Sequence, residues 1–305
     1  MPPDAPSAGA SGRPVLLNLL LSLRPAQWTK NLLVFAGILF GRRLRDPIAL
    51  ERSIAAFAIF CALSGIVYVI NDVADREADR RHPLKMARPI ASGALPVPLA
   101  LAGAGVLGVA ALASALALGP AFALVAVVYL VLLTLYSGPL KNIVIIDVLT
   151  IAVGFVLRAV AGAVAIDVEI SHWLLVCTIL LALFMALAKR RHEIVMLAGD
   201  ARSHRAILGE YSPYLLDQMI AVVTASTLIS YAFYTISPET ELKFGTPWLG
   251  LTIPFPLYGI FRYLYLVHQR EGGGSPADLL LTDRPLLVCV ALWAATVALI
   301  IYRPF

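Results

Sequence analysis

Long apolar runs, each closed by charged or turn-forming residues, set the pattern of this chain. Nine such stretches lie near residues 28–41, 51–71, 97–118, 121–138, 143–164, 172–189, 214–236, 247–267 and 285–303. A helix that crosses the hydrocarbon core needs about 20 mostly apolar residues. Backbone in lipid must satisfy its own hydrogen bonds, which leaves helices or closed barrels, and runs this long exclude the barrel. The pattern predicts an all-α, polytopic membrane bundle of about nine transmembrane helices. The first run is short, so its helix is expected to begin upstream of Trp28 or to sit partly in the interface. Val15–Leu23 is too short to span and stops at Arg24-Pro25. Residues 1–13 are rich in Pro, Ala, Ser and Gly and read as a disordered tail, without the basic-then-apolar order of a signal peptide. Residues 14–305 read as one transmembrane helical domain.

Composition strengthens this reading. Of the 305 residues, 60% are hydrophobic and 14% charged, against roughly 25% charged in soluble domains. The net charge of +5 suits basic loops at a membrane surface and carries no nucleic-acid signature. Cys61, Cys177 and Cys289 each lie in an apolar run, so neither a disulfide framework nor a zinc site is suggested. The oligomeric state stays open, a homo-oligomer included.

The loops alternate in charge. Arg76, Arg80, Arg81, Lys85 and Arg88 fill the connection after the second run, and Lys189, Arg190, Arg191, Arg202 and Arg205 the one after the sixth. Gly119-Pro120 and Ile166–His172 carry no Lys or Arg, and Ser237–Thr246 only Lys243. Basic loops stay in the cytoplasm, which puts the tail inside and Phe305 outside; the expected location is the cell (inner) membrane. Arg42, Arg43, Arg45 and Arg52 run against this pattern.

The most informative stretch follows the second run: Asn71-Asp72-Val73-Ala74-Asp75-Arg76-Glu77-Ala78-Asp79. On a continuing helix Asp72, Asp75 and Asp79 share one face. Stacked like charges ask for a cation, and oxygen-only ligands suit Mg²⁺, which usually binds through a few carboxylates plus substrate phosphates. The motif reads as a metal–diphosphate site. Lys85 and Arg88 follow in a cation-dense stretch, and beside a metal site such residues can bind phosphate oxygens. A second constellation comprises Tyr136, Lys141, Asp147 and Arg158. Asp147 and Arg158 stand three turns apart with Thr150, Gly154 and Gly162 near their stripe, and such a polar, small-residue stripe faces the bundle rather than lipid. Arg158, about 16 Å deeper than Asp147 by helical rise, is either a cavity residue or a partner for another helix. Lys189, Arg190 and Glu193, with Asp200 beyond, form a third group. Lys30 and Asn31 stand level with the acidic motif, beside Trp28 as an interfacial anchor. No triad, Walker, Rossmann or zinc-protease pattern appears.

The acidic motif with the following Arg88-Pro89-Ile90-Ala91-Ser92-Gly93 resembles the UbiA superfamily of intramembrane prenyltransferases, over about residues 24–305. Within it, Arg24-Pro25-x-Gln27-Trp28-x-Lys30-Asn31, Tyr136-Ser137-x-x-Leu140-Lys141, Asp147 and Lys189-Arg190-x-x-Glu193 resemble the decaprenyl-phosphate phosphoribosyltransferase branch. The resemblance implies a UbiA-like bundle. It also implies Mg²⁺-dependent transfer of a 5-phosphoribosyl group from phosphoribosyl pyrophosphate to a polyprenyl (decaprenyl) phosphate, releasing diphosphate, in arabinan building. Asp72 and Asp75 would then hold Mg²⁺, with Asp79 as a further or water-mediated ligand. Asp147 or Glu193 would stabilise positive charge on the ribose. Lys30, Lys85, Arg88, Lys141, Lys189 and Arg190 would share the phosphates, and Asn31, Asn71, Tyr136 and Arg158 would complete the pocket. Aromatic prenyltransferases of the superfamily carry a second acidic motif near the sixth span. Here that region is basic, which suits substrates with extra phosphates. An aromatic-acceptor prenyltransferase and, from another class, a secondary transporter are the competing expectations.

Overall fold

Proline opens most of the long helices, at positions where its missing N–H costs nothing. Pro47 follows the N-cap Asp46, whose carboxylate accepts from the Ile48 and Ala49 N–H groups. Pro213 follows Ser212, whose hydroxyl accepts from Leu215 N–H. The computed structural model describes residues 13–83, 85–196, 206–269, 279 and 282–302. The expected tail (all but Arg13), Asp200, Arg202, Arg205 and Phe305 lie outside the described residues.

The described chain is helical, with no strand among its residues. In order the helices are α1 (Val15–Ser22), α2 (Ala36–Phe40), α3 (Pro47–Ala74), α4 (Arg76–Arg81), α5 (Val97–Leu118), α6 (Pro120–Ser137), α7 (Ile146–Ala165), α8 (His172–Met196), α9 (Pro213–Ile236), α10 (Pro238–Phe244), α11 (Pro254–Gln269) and α12 (Arg284–Tyr302). Seven of them, α3, α5, α6, α7, α8, α9 and α12, are long and apolar enough to cross a membrane among the described residues. The chain is a multi-pass membrane protein.

Two of the nine expected spans are broken. The first is an 11-residue 3₁₀ segment, Pro25–Phe35, running into the short α2. Its polar residues explain the break: Asn31 sits in the middle and bonds across to Ser64 on α3 and Arg158 on α7. The eighth is divided into a 3₁₀ turn, Trp248–Thr252, and the 16-residue α11 that opens at Pro254.

α7 is the hub. It packs against α3, α6, α8, α2 and the Pro25–Phe35 segment. One core cluster joins α3, α5, α6 and the 3₁₀ segment around Phe60, Leu63, Phe122 and Tyr129. A second joins α7, α8, α9, α11 and α12 around Phe184, Leu187, Leu216 and Tyr263. The outer faces of α5 and α6 expose Val106, Val109, Leu124 and Val131, as expected of lipid-facing surfaces.

Small residues let α7 approach the 3₁₀ segment closely. A Cβ at Gly162 would stand 1.8 Å from the Val34 carbonyl oxygen, and one at Gly37 would stand 2.7 Å from the Ala163 nitrogen. Backbone cannot move aside as a side chain can. Gly162→Ala is therefore expected to destabilise the bundle by about 3 kcal/mol, read as a lower melting temperature in detergent, whereas Gly105→Ala, with open space around it, should melt like wild type.

Arg52, which ran against the charge pattern, has a structural task at the far end of α3. Its Nε donates to Ala165 O at 2.5 Å and its Nη2 to Leu118 O at 2.5 Å, so it caps the C-termini of α7 and α5 together.

Candidate active site

The acidic motif ends α3. The helix pauses at Asp75 and resumes as α4, with Asp75 N–H donating to Asn71 O and Asp79 N–H to Asp75 O, both at 2.8 Å. The turn is nearly continuous, so Asp72 and Asp79 fall on one inward face, each with only 3% or less exposed, while Asp75 stays half-buried.

Each of the three carboxylates has a base. Arg24 pairs with Asp72 while its guanidinium lies 4.7 Å from the centre of the Tyr68 ring. Arg88 Nη1 bridges Asp72 Oδ1 at 3.1 Å and Asp79 Oδ2 at 2.5 Å. Lys85 stands 3.9 Å from Asp79, and Lys141 Nζ lies 2.6 Å from Asp75. The aspartates repel one another less than their spacing alone suggests, because Arg88 is shared.

The α6–α7 connection ties this rim to α8. Lys141 reaches Asp75 from within that connection, and on the last turn of α6 the Tyr136 hydroxyl accepts from Arg190 Nη2 at 3.2 Å. Arg190 also donates to Glu193 Oε2 at 2.7 Å and through Nε to Asp147 Oδ2 at 2.9 Å. Lys189 stands 3.9 Å from Glu193, and Lys30 lies near enough to repel its charge. Five carboxylates (Asp72, Asp75, Asp79, Asp147, Glu193) thus pair with six bases (Arg24, Lys85, Arg88, Lys141, Lys189, Arg190). The rim carries one surplus positive charge from these groups, before Lys30 is added.

The expected residues divide into those at the rim and those elsewhere. Asp72, Asp75, Asp79, Lys85, Arg88, Tyr136, Lys141, Lys189, Arg190 and Glu193 come together there, and Asn71 stands one position before Asp72 on the last turns of α3. Asn31 and Arg158 meet deeper in the bundle instead. Arg158 Nε donates to Asn31 Oδ1 at 2.7 Å, Nη2 to the Tyr129 hydroxyl at 2.6 Å and Nη1 to Gly154 O at 2.9 Å. Of the two expectations for Arg158, this geometry is that of a partner between helices. Asp147 is fully buried, with its two oxygens taken by Arg190 and by the Tyr211 hydroxyl at 2.8 Å. Sequence reasoning gave no role to Arg24 or Tyr211. Arg24 stands in the sequence at a helix stop and heads the Arg24-Pro25-x-Gln27-Trp28 motif without a stated role, and Tyr211 sits in an ordinary loop.

All the acidic groups offer oxygen, the donor that hard divalent cations prefer. No three His, Cys, Asp or Glu side chains gather as a ready ligand cluster among the described residues, since the bases stand between them. Arg24 and Arg88 both occupy Asp72 Oδ1, so a divalent cation bound through that oxygen would displace them. The residues fit a cation that arrives together with an anion able to receive those guanidiniums.

Comparison with known proteins gives a consistent picture. Residues 31–282 match the model of the UbiA prenyltransferase family. The decaprenyl-phosphate phosphoribosyltransferase of Corynebacterium glutamicum is 34% identical over 295 residues, covering 93% of this chain and 86% of its own. That of Mycobacterium tuberculosis is also 34% identical, covering 93% of this chain and 94% of its own. Among solved structures, a UbiA homolog from Archaeoglobus fulgidus bound to GPP and Mg²⁺ superposes with a TM-score of 0.72 at 21% identity, covering 94% of this chain and 100% of that one. That likeness is one of fold.

Proposed function

The chain belongs to the UbiA prenyltransferase family, and from that premise we propose that it transfers a 5-phosphoribosyl group from phosphoribosyl pyrophosphate to a polyprenyl phosphate, with Mg²⁺. It would do so in the cell membrane, with the acidic rim toward the cytoplasm. The observation that carries the substrate choice is the surplus of bases around the acidic motif. A diphosphate, a sugar 5-phosphate and a lipid phosphate together bring more negative charge than a diphosphate and an aromatic acceptor carrying at most one carboxylate. Arg24, Lys85, Arg88, Lys141, Lys189 and Arg190 are the groups that would meet it. The names of the relatives point to the same substrate class.

Asp72 and Asp75 would hold Mg²⁺, with Asp79 beside them. When bound there, the ion supplies charge stabilisation to the diphosphate as it leaves. Arg24 and Arg88 would turn from the carboxylates to phosphate oxygens. Glu193, 28% exposed while its neighbour Asp147 is closed off, is the carboxylate better placed to face positive charge growing on the ribose. The acceptor is already an anion, so no strong general base is needed.

The test is incubation of the purified protein with labelled phosphoribosyl pyrophosphate and decaprenyl phosphate, with and without EDTA. Label should enter the organic phase only when metal is present. Transfer of a prenyl group to an aromatic acid, with no ribose label in the lipid, would reverse the assignment.

A further inference from the structure

We propose that Tyr211 is a positioning residue of this site: its hydroxyl fixes Asp147 and, through Asp147, the guanidinium of Arg190. The inference rests on the transferase reading above. Tyr211 precedes the N-cap of α9 and is 4% exposed, its ring packed in the cluster of Val148, Leu187 and Leu216. Its hydroxyl donates to Asp147 Oδ1 at 2.8 Å and accepts from the Ile145 N–H at 2.7 Å. Ile145 has φ +69°, a left-handed conformation that a β-branched residue rarely adopts. The phenol therefore holds a strained turn and a buried carboxylate at once.

The chain of contacts continues outward. Asp147 has no exposed surface, so it cannot touch a substrate as it stands. Its free oxygen takes Arg190 Nε, and Arg190 then spreads its other nitrogens to Glu193 and Tyr136 at the rim. A guanidinium held by its Nε has one orientation, whereas one held only through its tips can swing. Burial, and then the Asp147 carboxylate, push the Tyr211 phenol up to about 12, so it stays a proton donor over the working range.

The experiment is a double-mutant cycle on the whole protein, with Tyr211→Phe, Arg190→Lys and the double variant assayed for transfer and melted in detergent. Tyr211→Phe alone should lower kcat/KM for phosphoribosyl pyrophosphate about tenfold or more, with KM for the lipid acceptor unchanged. In the Arg190→Lys background the same change should add less than about twofold, because the group it orients is gone. An equal factor in both backgrounds, or a loss that follows only the melting temperature, overturns the positioning role while the transferase reading stands. A wild-type protein that transfers no ribose label overturns both. If Tyr211→Phe does not accumulate, the cycle is run in an Ile145→Gly background, where the left-handed turn carries no strain.

Discussion

Asp72→Asn is expected to lower ribosyl transfer about a thousandfold or more, roughly 4 kcal/mol of barrier, while the protein still purifies as a folded bundle. The asparagine keeps the side chain's shape but loses the charge that a divalent cation needs. It also loses the charge that Arg24 and Arg88 share. Those arginines remain partly exposed, at 24% and 26%, so water and Asp79 can take up part of what the carboxylate gave. The folding cost is thereby limited to about 1–2 kcal/mol. Turnover and melting should separate: a thousandfold loss of rate beside a shift of a few degrees. If both fall together, Asp72 is a structural residue and the metal role fails. Arg88→Gln is the companion variant, because it removes the bridge between Asp72 and Asp79 while leaving all three carboxylates in place.

Arg190→Ala should behave in the opposite way, with stability lost first. Asp147 is fully buried, and Arg190 is 3% exposed. Removing the base leaves an ionised carboxylate with only the Tyr211 hydroxyl, and breaking a buried pair in this way costs about 3–5 kcal/mol. Glu193 and Tyr136 each lose one hydrogen bond in the same step. The variant should express poorly or melt many degrees lower. Arg190→Ala combined with Asp147→Asn should recover much of that stability, because no unpaired charge remains, and should recover no activity. Recovery of activity in the double variant would remove Arg190 from the phosphate-binding set.

How much of this was legible in the sequence depends on distance along the chain. Asp72, Asp75 and Asp79 are readable together because like charges at helical spacing have no use in a membrane helix unless something opposes them. What opposes them is less readable. Arg88 follows within the same loop, but Arg24 lies 48 positions before Asp72, and no local pattern links the two. The inward aim of Arg158 follows from the cost of a charge in lipid. Its partner Asn31 is 127 positions away, so the pair is set by packing of the 3₁₀ segment on α7. Tyr211 gives no signal at all, since a tyrosine before a serine cap looks like any helix approach.

The broken spans have a similar cause. The hydropathy of 28–41 and 247–267 is that of a membrane segment, and both runs do enter helical structure. Hydropathy does not register that Asn31 must face Ser64 and Arg158, nor that Pro254 begins a new helix rather than continuing one. The other seven runs each hold one unbroken helix, even where α7 carries Arg158, and α3, α5, α6, α7, α9 and α12 lie within a few residues of the expected limits, while α8 runs on to Met196.

The most direct test of the account is Mn²⁺ binding followed by electron paramagnetic resonance on the purified protein, with Mn²⁺ standing in for Mg²⁺. Bound Mn²⁺ should be weak with metal alone, strong when phosphoribosyl pyrophosphate is added, and lost in Asp72→Asn under both conditions. Mn²⁺ bound equally well by wild type and Asp72→Asn in the presence of the sugar diphosphate would contradict the account, because the ion would then be held somewhere other than on the carboxylates that end α3.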